Sequence, residues 1–202
     1  VSGRDVEVHL PNAKLWDLDH PNLYDVSVTM GKDLVSRHFG FRWFNVGTVK
    51  GDRMFFLNGK RITIRTAISW SFWPDNGITP TRELAIKQVA DAKKLGLTML
   101  NFHRTIGNTD VLNAADSLGL LYFEEPGGNQ ISVNMFPSVL AKNGGVAQEA
   151  GGMKLSTDFA FAFRNEKLAR MIKRDRSHPS LVIYNLHNER GAEPQPEDYN
   201  EM

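Results

Sequence analysis

The chain has 202 residues, 41% hydrophobic and 23% charged, with a formal net charge of +1 and no cysteine. That length suits one large domain or two small ones, and the composition is that of a folded chain rather than a disordered one. Near-neutrality offers no field for nucleic acid or an anionic membrane surface. No apolar run reaches the ~20 residues that cross a bilayer, and the lack of cysteine excludes disulfides, thiolate metal sites and cysteine nucleophiles.

Val1-Ser2-Gly3-Arg4-Asp5 lacks the apolar core of a signal peptide. Periplasmic, secreted and cytoplasmic locations all stay open. Residues 1 to about 49 read as β structure. Asp5 to Leu10 alternates polar and apolar, the period of a half-buried strand. Leu23 to Met30 is a second strand, Gly31-Lys32-Asp33 a turn, and Val35 to Trp43 extended again. Three or so strands do not close a sandwich, so this segment reads as the end of one. Asn58-Gly59, between Phe55-Phe56-Leu57 and Lys60-Arg61-Ile62, predicts a type I′ hairpin.

Ile62 to Ile68 is predicted to be the first strand of a second unit, ending in the aromatic loop Ser69-Trp70-Ser71-Phe72-Trp73-Pro74-Asp75. Trp70 and Trp73 can stack a ligand ring or form a packed loop core. Thr79-Pro80 reads as a helix start, with Ala85, Ile86, Val89 and Ala92 at helical spacing and Leu95-Gly96 as the stop. Leu97 to Phe102 is a strand ending in His103-Arg104. Asp110 to Ser117 is a helix stopped by Leu118-Gly119. Leu120 to Phe123 is a strand ending in Glu124-Glu125-Pro126. Strand and helix alternate, and polar groups fall at strand carboxyl ends. A parallel sheet with right-handed crossovers follows.

Residues 126 to about 157 carry Gly127-Gly128, Gly144-Gly145 and Gly151-Gly152. These pairs lack phosphate-loop spacing, which excludes a nucleotide site. A substrate-covering loop and an insertion both fit the length. Phe159 to Asp175 is a long helix, with Phe161, Leu168 and Ile172 on one face and Met171 beside them. It ends before His178-Pro179, because proline disfavours the helical conformation of the residue it follows. Ser180 to Leu186 is an apolar run suited to a strand buried on both faces, and polarity changes abruptly at Asn188-Glu189. An amide and a carboxylate at a strand's carboxyl end are how α/β barrels present catalytic groups; the first solvated residues after a strand would look the same.

Arg174-Asp175-Arg176-Ser177-His178-Pro179-Ser180, the apolar run, and Leu186-His187-Asn188-Glu189 resemble the pattern of the family 2 glycoside hydrolases, the β-galactosidase, β-glucuronidase and β-mannosidase group. The chain departs from that pattern at Ser177, at Tyr184 where the family usually has Trp, and at His187 where it usually has Gly. Ala13-Lys14-Leu15-Trp16, His20 to Tyr24 and Phe39-Gly40-Phe41-Arg42 resemble the end of that family's immunoglobulin-like domain and its exit strand. The resemblance implies an α/β fold: the last strands of an immunoglobulin-like sandwich over 1–49, then the first half of a (β/α)8 TIM barrel over 50–202. It also implies a retaining exo-acting β-glycosidase. Glu189 would be the general acid/base, Asn188 would hold the sugar's 2-hydroxyl, and the nucleophile would lie on a seventh strand outside the chain.

Retaining chemistry needs two carboxyl groups ~5–5.5 Å apart. Glu125 is a candidate stand-in nucleophile, since it closes a neighbouring strand ~4.8 Å away; the resemblance favours a substrate-binding role instead. His103 is a candidate pocket residue or a packed histidine. With a sugar as ligand, Trp70 and Trp73 become candidate stacking residues. No tight His/Asp/Glu spacing marks a metal site and no cofactor is expected. The expected partners are a carbohydrate substrate and the missing domains of the same polypeptide, with self-association as the other way to cover open sheet edges. A relative that binds carbohydrate without catalysis is the alternative, given His187, Tyr184 and Leu100.

Overall fold

The computed structural model describes residues 6–69, 80–126 and 157–185, with backbone alone for 157–161 and 164. Residues 6–10 form no strand, and Val6, Val8 and Leu10 are exposed. Alternation alone does not make a strand; a ladder partner is also needed, and among the described residues none lies beside this stretch. Strand β1 (Tyr24–Met30) and strand β2 (Asp33–Phe39) pair antiparallel around Gly31, whose φ of +60° suits the tight turn.

A three-stranded antiparallel sheet follows: β3 (Phe44–Val49), β4 (Asp52–Leu57) and β5 (Lys60–Ile62). The β4–β5 turn is the expected one, with Asn58 and Gly59 at φ +53° and +76°. The Asn58 side chain also accepts from the Trp43 amide and donates to the Trp16 carbonyl, which ties the turn to the preceding segment. The sequence did not mark β3. Its turn is Lys50-Gly51, at φ +53° and +92°, and lysine carries no turn signal.

Parallel strands then alternate with helices: β6 (Thr66–Ser69), α1 (Arg82–Lys94), β7 (Met99–Phe102), α2 (Thr109–Leu118), β8 (Leu121–Glu124), α3 (Thr157–Asp175) and β9 (Leu181–Tyr184), in sheet order β6-β7-β8-β9. Thr63 to Arg65, expected in the first of these strands, lie outside it. Helix α1 begins two residues later than expected. Thr81 is its N-cap, its hydroxyl accepting from the Leu84 amide, with Glu83 in the first turn and Lys93 and Lys94 in the last. Asn108 caps α2 by accepting from Asp110 and Val111, and Gly119 ends it in the left-handed conformation.

Two cores face opposite sides of the parallel sheet. Outside, Ala85, Val89 and Ala92 of α1 and Val111, Leu112, Ala114 and Ala115 of α2 pack on Leu100, Phe102 and Tyr122. Inside, Met99 and Leu121 pack with Trp16, Leu57, Ile62 and Ile64. Met99 and Leu121 start their strands, so the β4–β5 hairpin closes the amino-terminal end of the sheet. The carboxyl end is left for polar groups.

Candidate functional site at the carboxyl ends of the parallel strands

Side chains alternate across a strand. On β8, Leu121 and Phe123 face the inner core and Tyr122 faces the helices. The doublet that follows is therefore divided: Glu124 goes under the helices, and Glu125 goes to the inner side.

Glu125 is 2% exposed. Its Oε2 accepts from the Arg104 amide at 2.7 Å, and its Oε1 accepts from the Asn185 side chain at 2.9 Å. Three strand ends thus meet at one carboxyl group: Arg104 follows β7, Glu125 follows β8 and Asn185 follows β9. Arg104 adopts φ +57°, a left-handed conformation costing about 1–2 kcal/mol for a residue with a Cβ. That conformation is what presents its N–H to Glu125. Withdrawing the donors from a buried carboxyl group would cost about 1–3 kcal/mol. His103 is buried beside them, and its own amide donates to the Ser69 carbonyl.

Glu124, on the other side, is fully buried. Its Oε2 accepts from the Gly107 amide at 2.9 Å, and Asp175, the buried last residue of α3, lies near enough for its charge to act on it. Arg174 holds Asp175 bidentately, at 2.7 and 2.6 Å, and also donates to the Gly107 carbonyl. Burial first, and then the Asp175 charge, push the Glu124 carboxyl up to about 8. A β-carbon on Gly107 would lie 2.7 Å from the Phe102 ring and 2.8 Å from Glu124, so only glycine fits.

The His-Pro-Ser stretch has an anchor of its own. Asp116 of α2 accepts from the Ser180 amide at 3.0 Å and its hydroxyl at 2.5 Å, and it pairs with His178 Nδ1 at 2.5 Å. Its carbonyl accepts from the Trp16 indole at 2.7 Å. Arg42 donates to the Pro179 and Leu181 carbonyls, at 3.0 and 2.6 Å. These contacts fix where β9 begins, and β9 carries Asn185.

Of the residues marked from sequence, Glu125 and His103 lie together at this end of the sheet. Trp70, Trp73, Asn188 and Glu189 lie outside the described residues. Sequence reasoning passed over Asn185, Glu124 and Asp116. Asn185 sits inside an apolar run, and only the strand alternation of β9 marks it. Among the described residues no group of three His, Asp or Glu side chains is placed to hold a metal ion, and no helix is long and apolar enough to cross a membrane.

The family model for glycosyl hydrolases family 2 matches residues 1–42. A β-galactosidase of Thermoanaerobacterium thermosulfurigenes is 30% identical over 184 residues, 88% of this chain and 22% of that protein. A β-galactosidase of Lactococcus lactis is 25% identical over 196 residues, 94% of this chain and 18% of that protein. The chain spans about a fifth of the length of these curated relatives. A family 2 β-galacturonidase of Eisenbergiella tayi, solved with galacturonate, superposes with a TM-score of 0.76 at 19% identity over 98% of this chain and 32% of its own. A β-glucuronidase of Parabacteroides merdae superposes with a TM-score of 0.64 at 23% identity over 93% of this chain and 20% of its own. The two antiparallel sheets, the four parallel strands with their helices and these superpositions agree: the chain has the fold of glycosyl hydrolase family 2, the end of an immunoglobulin-like sandwich leading into part of a TIM barrel.

Proposed function

We propose that this chain is the acid/base-bearing part of a retaining, exo-acting glycosidase that removes terminal β-linked sugars, with its nucleophile on a part of the protein beyond the chain. The observation that supports this best is the Glu125–Asn185 hydrogen bond on the inner side of two adjacent strand ends. Barrel enzymes place their chemistry at this end.

In this reading Glu189 protonates the leaving oxygen and then takes a proton from water, and Asn188 donates to the sugar's 2-hydroxyl, a contact that strengthens in the transition state. Both Glu125 oxygens already accept hydrogen bonds. That suits a carboxyl held to receive a sugar hydroxyl better than one free to attack. His103 would line the same pocket, and Trp70 and Trp73 would stack on the ring. The division proposed for the chain is 1–49 for the sandwich end and 50–202 for the barrel part, the boundary falling in the Lys50-Gly51 turn. The names of the relatives make β-galactosides and β-glucuronides the first substrates to try.

The test is Glu189→Ala in the full-length protein. An acid matters most when the leaving group is poor. Turnover of an alkyl β-glycoside should fall about 10²–10⁴-fold, while an aryl glycoside with an activated leaving group should lose far less in the glycosylation step. Equal losses on both substrates would refute the role.

A further inference from the structure

Strand β9 carries one residue more than the stretch of β8 it pairs with. Tyr122 lies opposite Leu181, Phe123 opposite Ile183 and Glu124 opposite Tyr184, so Val182 has no counterpart on β8. The side chains show the same break. Leu181 and Tyr184 face the helices, whereas Val182 and Ile183 both face the inner core. Asn185 follows Leu181 by four residues, and unbroken alternation would put both under the helices. The extra residue brings Asn185 to the other side, where its side-chain amide meets Glu125 at 2.9 Å. Bulges beside active sites re-aim a side chain in this way.

The bulge is held at both ends. After it, the Asn185 N–H donates to the Glu124 carbonyl at 2.8 Å. Before it, successive carbonyls point to opposite edges of the strand. That of Ser180 accepts from the Tyr122 amide on β8 at 2.8 Å. Those of Pro179 and Leu181 accept from the Arg42 guanidinium, at 3.0 and 2.6 Å. The Leu181 carbonyl belongs to the peptide group that leads into Val182, the extra residue itself. Arg42 lies on the stretch that leaves β2, two residues after Gly40. A β-carbon on Gly40 would lie 2.9 Å from the Pro179 ring, so this stretch rests directly on the start of β9. Arg42 is half-buried, and the oxygens it binds are main-chain carbonyls of buried residues. An apolar side chain would fill that place without the cost of desolvating a charge, but it could not hold either carbonyl.

We infer that Arg42 is a positioning residue for the proposed site: it holds the Val182 bulge in place and so keeps Asn185 aimed at Glu125. It acts on the site through the register of β9. Without it the Pro179 and Leu181 carbonyls lose their donor, the strand pairs without its extra residue, and Asn185 turns toward the helices. The consequence for sugar binding rests on the reading of Glu125 as a sugar-binding group; the control of the register does not.

The experiment compares the full-length protein with Arg42→Ala, Asn185→Ala and the double variant on an aryl β-glycoside. Asn185→Ala alone should lower kcat/KM about tenfold, the scale of one hydrogen bond to a charged group, and Arg42→Ala at least as much. Adding Asn185→Ala to Arg42→Ala should cost nothing further, because the side chain is no longer aimed. Free guanidinium at a non-denaturing concentration should restore activity to Arg42→Ala and leave Asn185→Ala unmoved. Losses that multiply in the double variant, or an Arg42→Ala variant that guanidinium does not restore, would overturn the inference. If Arg42→Ala does not fold, Arg42→Lys keeps one donor and should show a smaller loss with the same lack of additivity. A crystal structure of the Arg42 variant reads the register without turnover: Val182 should lie opposite Phe123, with Asn185 turned from Glu125. An intact bulge there would overturn the inference. A protein with no turnover of any β-glycoside but the shifted register would overturn the glycosidase reading and leave the role of Arg42 standing.

Discussion

Asp116 shows why a motif that looks catalytic is in part an anchor. His178 and Ser180 belong to the stretch that most resembles a hydrolase pattern, but both turn to Asp116 on α2. Their role is to set the start of β9, and a strand carries its register to its far end. Replacing Asp116 by Ala leaves the Ser180 amide and hydroxyl and the His178 ring without their acceptor in a buried place. Removing one member of such a network costs about 3–5 kcal/mol. Asp116→Asn keeps an oxygen for Ser180 and should cost less. The drop in the barrel's unfolding midpoint measures both. The motif was legible in the sequence; its partner was not, because Asp116 lies in an amphipathic helix where an acid reads as solvated. Glu124 and Glu125 show the same limit. The doublet was visible, but its division between the two sides of the sheet became clear only from the neighbours of Leu121 and Tyr122.

The strand–helix alternation was legible because the first two crossovers end with a leucine-glycine stop, the third ends at His178-Pro179, and each strand is a short apolar run. What the repeats do not reveal is what surrounds them. Gly96 and Gly119 sit at nearly equal φ, +78° and +75°, after α1 and α2. A β-carbon at Gly96 meets nothing within 4 Å, whereas at Gly119 it would lie 2.4 Å from the Leu18 carbonyl oxygen. Gly96→Ala should therefore cost only the left-handed strain, about 1–2 kcal/mol. Gly119→Ala adds a backbone clash of about 1–3 kcal/mol and should separate the sandwich segment from α2. Comparable midpoints for the two variants would show that the Leu18 contact is not made. The turns divide in the same way: Asn58-Gly59 announced itself by residue type, while Lys50-Gly51 reaches the same conformation with a lysine and was passed over. Val6, Val8 and Leu10 erred in the other direction, since their alternation has no neighbouring strand to satisfy among the described residues.

For the whole molecule, the open edges decide the behaviour of the isolated chain. Among the described residues, strands β6 and β9 each have a sheet neighbour on one side only, and the β1–β2 hairpin exposes Val26, Val28, Leu34 and Val35. Unpaired edges and apolar faces invite association. The isolated 202-residue chain should scatter light as an oligomer and show no appreciable glycosidase activity, because groups that act as a unit do not retain half their effect. A monodisperse, active monomer would bring the Glu125–Glu189 pair back as the catalytic couple. The proposed acid/base role of Glu189 in the full-length protein is tested most directly by azide rescue of Glu189→Ala on an activated aryl β-glycoside. Turnover should recover with added azide, and the product should be the β-configured glycosyl azide, formed when the small anion enters the space left by the carboxylate. No rescue, or an azide product of α configuration, would contradict it.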